Sequence, residues 1–257
     1  MRTVLARSVE ILFVFSNTPA LWAGCVSLGK EYLLNWLIKA LGSSIGRKFV
    51  MGLTGLLLIG FVIVHLAGNL LLYVGFEDYN NYAHALHAKP GLVLVAEIGL
   101  LTLFLAHILI AVGITRENRA ARPEGYQMRR SKQDRTAATP SALMFVSGAI
   151  LLGFILLHLA DFRFHLRNPG PDGEEPFAKA LRLLQDPVSA GVYFVGSLFL
   201  GWHLVHGFQS VFQTFGWNHP KYTPMIKKVG VVLAVVLALG FASFPVWAML
   251  KKYGVQL

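Results

Sequence analysis

Five stretches of this chain are long and apolar enough to cross a lipid bilayer: Phe49–Val74, Pro90–Thr115, Pro140–Phe162, Val188–Phe215 and Val229–Leu250. A spanning helix needs about 20 mostly apolar residues. In hydrocarbon every backbone N–H and C=O must find a partner within the protein, so such stretches are helices. The expected fold is therefore all-α, an integral membrane five-helix bundle. Charged residues make up 14% of the chain and the mean hydropathy is +0.56. A soluble domain carries roughly 25% charged residues, so the deficit marks a lipid-facing surface. Pro90, Pro140 and Pro187 stand at or near helix starts, where the missing N–H costs little.

The formal net charge of +10 is held largely in short segments between the apolar runs. That distribution points to anionic lipid headgroups as the partner and not to nucleic acid. Arg47 and Lys48 precede the first span, and a run of basic residues from Arg116 to Arg135 follows the second. Lys221, Lys227 and Lys228 follow the fourth span. The positive-inside rule places these segments in the cytoplasm, with the amino terminus inside and the carboxyl terminus outside. Lys251 and Lys252 at the far end run against that trend. The single cysteine, Cys25, excludes an intramolecular disulfide and a cysteine-built metal site.

Residues 1–46 read as an N-terminal extension and residues 47–257 as the transmembrane domain. Lys30–Leu41 places tryptophan, lysine and leucine at helical spacing, the pattern of a short amphipathic helix lying on the interface. Ile11–Gly29 is uncharged and follows Arg2 and Arg7, the outline of a signal peptide. Asn17, Pro19 and several small residues make it a poor spanning helix.

Four of the five spans carry a histidine well inside the apolar run: His65, His107, His158 and His203. Ionisable side chains inside a membrane are rare and mark function. Their depths fall into two sets. His65 lies 16 residues past Phe49 and His158 lies 18 past Pro140, both on outward-running helices. At about 1.5 Å per residue these are roughly 24–27 Å along, in the outer half. His107 lies 17 residues past Pro90 and His203 lies 16 past Pro187, both on inward-running helices, and so in the inner half. Two level pairs of imidazoles are what two bis-histidine haems b require, one near each face. With both axial positions taken, such a metal suits electron transfer rather than oxygen chemistry. Gly60, Gly68, Gly113, Gly153, Gly201 and Gly207 near these histidines leave room for a macrocycle or for close helix packing.

Other polar residues are secondary candidates. His206 lies one helical turn from His203 and competes with it as a ligand; the depth of His203 matches His107 better. His206, His165 and His84 are candidate propionate contacts. His87 and His219 read as solvated loop residues. Glu97 is the carboxylate set well within a span, and Asp161 and Arg163 cluster at the end of the third; all three are candidates for a quinone site or proton path. Zinc is the competing metal, but two histidines at each level are too few for a tetrahedral centre.

The strings SSIGRKFVMGLTGLLL, HLAGNLL, YNNYAHALH, HLADFRFH and HLVHGFQSVFQTFGW, with one histidine in each of spans one to four, resemble the dihaem cytochrome b membrane anchor of succinate dehydrogenase and fumarate reductase (complex II). The resemblance covers roughly residues 35–250. It implies a flavoprotein subunit and an iron–sulfur subunit as partners, the latter docked on the cytoplasmic face. Electrons would pass by the haem at His107 and His203 and then the haem at His65 and His158 to a membrane quinone, commonly menaquinone in dihaem members. It implies a bacterial cytoplasmic membrane as the location. The chain lacks a flavin or dinucleotide motif, so succinate oxidation falls to the partner. The alternatives are the reverse flow in a quinol:fumarate reductase, another dihaem cytochrome b, or a haemless transporter using its histidines as a proton relay.

Overall fold

The computed structural model describes residues 35–121 and 140–254. Cys25, the stretch 11–29 and the basic residues from Arg122 to Arg135 lie outside the described residues. The chain forms two compact units, Met1–Arg47 and Lys48–Leu257. In the first, residues 35–42 are helical, and Trp36 and Ile38 are exposed. Ser43 ends that helix: its hydroxyl donates to the Ala40 carbonyl at 2.6 Å and accepts from the Gly46 amide at 3.0 Å. A side chain at position 46 would collide with the Ala40 carbonyl, so the turn requires glycine there.

Among the described residues eight further helices follow: α1 (Ser44–Asn69), α2 (Leu71–Val74), α3 (Phe76–His87), α4 (Pro90–Ala120), α5 (Pro140–Phe162), α6 (Pro176–Leu184), α7 (Pro187–Thr214) and α8 (Thr223–Lys252). Five segments of the described residues are long and apolar enough to span a membrane: Ser44–Val74 (α1 with α2), Pro90–Ala120, Met144–Phe162, Pro187–Thr214 and Thr223–Lys252. The chain is an all-α, multi-pass membrane bundle. Helices α4 and α8 run longer than their apolar cores, taking in charged turns at Arg116–Arg119 and Lys227–Lys228 that hydropathy alone leaves out.

Two segments expected as loops are helical. Gly75, at φ +142°, turns the chain from α2 into α3, a conformation open to glycine. His84 and His87 thus sit in the last turn of α3, where they complement the helix dipole, and not in a loop. The α6 segment buries Phe177, Ala180, Leu183 and Leu184 along one stripe, helical periodicity in a nine-residue stretch too short for a hydropathy window. Buried Asn80 on α3 accepts from the Phe177 amide at 2.9 Å, satisfying a donor in the first turn of α6. The short helices α3 and α6 therefore lie on the same side of the bundle, and His84 pairs with Glu175 there at 2.9 Å.

Packing is tightest between α7 and α8 and between α5 and α7. A methyl at Gly201 would come within 2.6 Å of the Ala238 Cβ, and one at Gly196 would enter the Phe154 ring. Small residues set how closely helices approach in lipid, where the hydrophobic effect between helices is absent. Ile59, Leu66, Leu204 and Leu237 belong to the core, with Leu72, Phe177, Leu184 and Phe244 toward the short-helix end. Helix α4 has no buried residue and forms the edge of the described bundle. Tyr73 and Ser243 tie the end of the first span to α8 across 2.6 Å; the Ser243 proton goes to the Gly240 carbonyl, so Tyr73 donates.

Candidate metal centres

Span one rises through α1 to His65, close to its short-helix end, and span three rises through α5 to His158. The two imidazole rings meet with centroids 5.9 Å apart and planes at 81°. Metal–imidazole bonds of about 2 Å on either side of one ion place ring centres roughly 6 Å apart. Phe61 stacks on His65 at 5.3 Å and Phe241 lies at 5.8 Å. Phe162 and Tyr193 flank His158 at 5.1 and 5.9 Å. The Asn69 amide nitrogen, a donor, lies 3.5 Å from His65 Nδ1 and gives one of its protons to the His65 carbonyl at 2.8 Å.

The other two histidines lie deeper. His107 on α4 reaches Thr54 on α1, with Nδ1 3.2 Å from Oγ1. His203 on α7 reaches Ser147 on α5, with Nδ1 3.1 Å from Oγ. Thr54 and Ser147 are each eleven residues before the histidine of their own helix. At about 1.5 Å per residue the second level is therefore roughly 16 Å below the first. His65 and His158 thus share an upper level, and His107 and His203 stand at a lower one.

The hydroxyls favour one tautomer of each ring. Thr54 donates to the Val50 and Met51 carbonyls at 2.9 and 3.1 Å, and Ser147 donates to the Met144 carbonyl at 3.0 Å. With each hydroxyl proton spent on its own helix, the oxygen accepts from imidazole Nδ1–H. That leaves the Nε2 lone pair of His107 and of His203 free to bind a metal. Both rings lie against glycine: a Cβ at Gly55 would stand 3.3 Å from His107 Cε1, and one at Gly148 would stand 3.5 Å from His203 Cε1. Gly60, Gly113, Gly153 and Gly207 have open space where a side chain would project, whereas Gly68 is filled by Tyr82 and Gly201 by Ala238. Those last two serve helix packing and not a macrocycle.

Remaining candidates divide. His206 bonds Gln209 of its own helix at 3.0 Å. His165, at φ +54°, bonds Lys179, whose ammonium also donates to the Phe162 carbonyl at 2.8 Å. His84 is engaged by Glu175. The expected Asp161–Arg163 cluster is split. Arg163 forks onto Glu97 at 2.9 and 3.3 Å, joining spans two and three on the exposed surface. Asp161, with no solvent-accessible surface, takes a fork from Arg167 at 2.8 and 2.6 Å and a bond from Tyr193 at 2.9 Å. Arg167 also donates to the buried Ser189 hydroxyl, which itself donates to Asp186.

Asp161 holds the Arg167 guanidinium above its usual range. The Ser189 amide holds the Asp186 carboxyl, at the start of α7, below the usual carboxylate range. Arg182 does the same for Glu174, with N–O contacts of 2.7 and 2.8 Å. Thr54, Ser147, Arg167, Tyr193 and Ser189 were not among the residues singled out from sequence. The signal that finds the two hydroxyls is their matching eleven-residue offset. Among the described residues no three His, Cys, Asp or Glu side chains are grouped to hold a metal ion.

Residues 115–242, about half of the chain and including His158 and His203, match the family of the succinate dehydrogenase/fumarate reductase transmembrane subunit. The chain belongs to this family. No curated protein and no solved structure matches it. Family membership agrees with the five apolar helices and makes the chain a membrane subunit that associates with the other subunits of complex II.

Proposed function

We propose that this complex II anchor is a dihaem cytochrome b that carries electrons between the iron–sulfur subunit and a membrane quinone, with menaquinone the expected type. The observation that carries the reading is the approach of His65 and His158, from two different spans, to 5.9 Å between ring centres, with His107 at Thr54 and His203 at Ser147 on a second level. In this reading His65 and His158 would hold one haem b, and His107 and His203 the other. A haem b held by each pair would supply reversible one-electron redox chemistry.

The chain's own residues supply the rest. Phe61, Phe162 and Phe241 keep water from the upper pair. Thr54 and Ser147 orient the lower imidazoles. The Glu97–Arg163 pair lies on a surface that faces lipid in a bilayer, at the end of span three beyond His158. A quinone entering from the bilayer would meet a carboxylate there that can exchange a proton. Asp161, by contrast, is sealed by Arg167 and Tyr193 and acts in structure. Flavin chemistry belongs to the partner flavoprotein. The positive-inside rule puts the amino terminus in the cytoplasm of a bacterial inner membrane. The direction of flow depends on the quinone pool, and the same anchor serves fumarate reduction.

Haem quantitation and reduced-minus-oxidised spectra of the complex, with the four single His→Ala variants, test this reading. Two haems b per chain are expected in the parent. His65→Ala and His158→Ala should lose one and the same spectral component, and His107→Ala and His203→Ala the other. A folded parent complex without haem b would end the assignment.

A further inference from the structure

The two hydroxyls that meet the lower histidines belong to a repeat. The segment Met51–Ala67 and the segment Met144–Ala160, 93 residues apart, both read M-x2-[T/S]-G-x4-G-F-x3-H-L-A. Each is followed by a short helix on the same side of the bundle and then by a span that begins at proline, Pro90 or Pro187. The half running from α1 to α4 and the half running from α5 to α7 thus use one plan. The histidine of the motif stands at the upper level. The hydroxyl and glycine of the same motif receive the histidine of the next span at the lower level, Thr54 and Gly55 for His107, Ser147 and Gly148 for His203.

Among the described residues the upper pair shows no such acceptor: the group beside His65 Nδ1 is the Asn69 amide nitrogen at 3.5 Å, itself a donor. The two levels therefore differ in one respect that matters for a metal ligand. A hydrogen bond from the far nitrogen of an imidazole fixes its tautomer and raises its basicity toward the metal. We propose that Thr54 and Ser147 are paired positioning residues which, by accepting Nδ1–H from His107 and His203, set the redox potential of the lower site alone. This rests on the dihaem reading above.

The direction follows from the chemistry. A more basic ligand favours the oxidised, more positively charged iron, so loss of the acceptor raises the midpoint potential. His107 has a second acceptor within reach, the Met51 carbonyl, whereas His203 has Ser147 as its named partner. The larger effect is thus expected at Ser147. The repeat also supplies the conservative control, because threonine occupies the corresponding position in the first half.

The experiment is a potentiometric titration of the haem spectrum and the low-spin ferric EPR signals in the assembled complex, for Ser147→Ala, Thr54→Val and Ser147→Thr. The lower component is the one lost in His203→Ala. Ser147→Ala is expected to raise its potential by at least threefold in the reduction equilibrium, about 28 mV for a one-electron couple. Thr54→Val should shift it less in the same direction, Ser147→Thr should keep the parent value, and the upper component should stay fixed. If Ser147→Ala does not load the lower site, retention of that component in Ser147→Thr still identifies the hydroxyl as the cause. Equal potentials in all variants, a shift of both components, or equal disturbance by Ser147→Thr and Ser147→Ala would overturn the proposal. Absence of haem from the parent complex would instead overturn the dihaem reading itself.

Discussion

At the scale of single residues, the polar side chains in and beside the spans are satisfied in specific ways, and the partner decides the role. Asp161 has no accessible surface and is held by a bidentate guanidinium and a phenol. Removing one member of a buried ion pair leaves a bare charge and costs on the order of 3–5 kcal/mol. Arg167→Ala should therefore lower the thermal midpoint of the purified complex sharply, while Tyr193→Phe, which removes one hydrogen bond, costs about 1 kcal/mol. Similar losses in the two variants would show that the ion pair is not what holds the end of α5. Glu97 differs in being partly exposed beside Arg163. Glu97→Gln keeps its shape and removes its proton chemistry, so quinone reduction should fall at least tenfold, within the range of a lost general acid–base. Full quinone reductase activity in that variant would take Glu97 out of the proton path.

Among elements, the short helices α3 and α6 anchor the upper ends of the spans. Asn80 fixes the start of α6, and Glu174 reaches Arg182 within it. Because Glu174 is held below the ordinary carboxylate range, its folded pKa lies below its unfolded one. Its stabilisation is complete above the unfolded value near pH 4.3 and is lost as pH falls through the lower folded value. The Asp186 cap contributes in the same direction. Thermal midpoints between pH 6 and pH 3 should fall steeply in the parent and less steeply in Glu174→Gln; parallel slopes would show that this pair does not govern acid stability. The existence of α6 was hidden by its length, since nine residues between two prolines read as a loop unless the Phe177, Ala180 and Leu184 stripe is noticed.

For the whole molecule, two histidine levels roughly 16 Å apart emerge from four helices of alternating direction. Loss of a ligand from one helix should thus be felt by the helix that carries its partner, as the paired spectral losses of the His→Ala series are expected to show. The sequence by itself determined the spans, because length and hydropathy are local sums, and it determined the depth of each histidine, because helical rise converts position into height. The family was legible in the same way, from strings around those histidines. What only the tertiary structure decided is lateral: which neighbour each polar group faces. Residue counting set Asp161 beside Arg163, but folding gave Arg163 to Glu97 and Arg167 to Asp161. It likewise gave His107 to Thr54 and His203 to Ser147, 53 and 56 residues away in the chain. Height along a helix is fixed by the backbone, whereas azimuth and partner are fixed by packing between helices, which no single helix encodes.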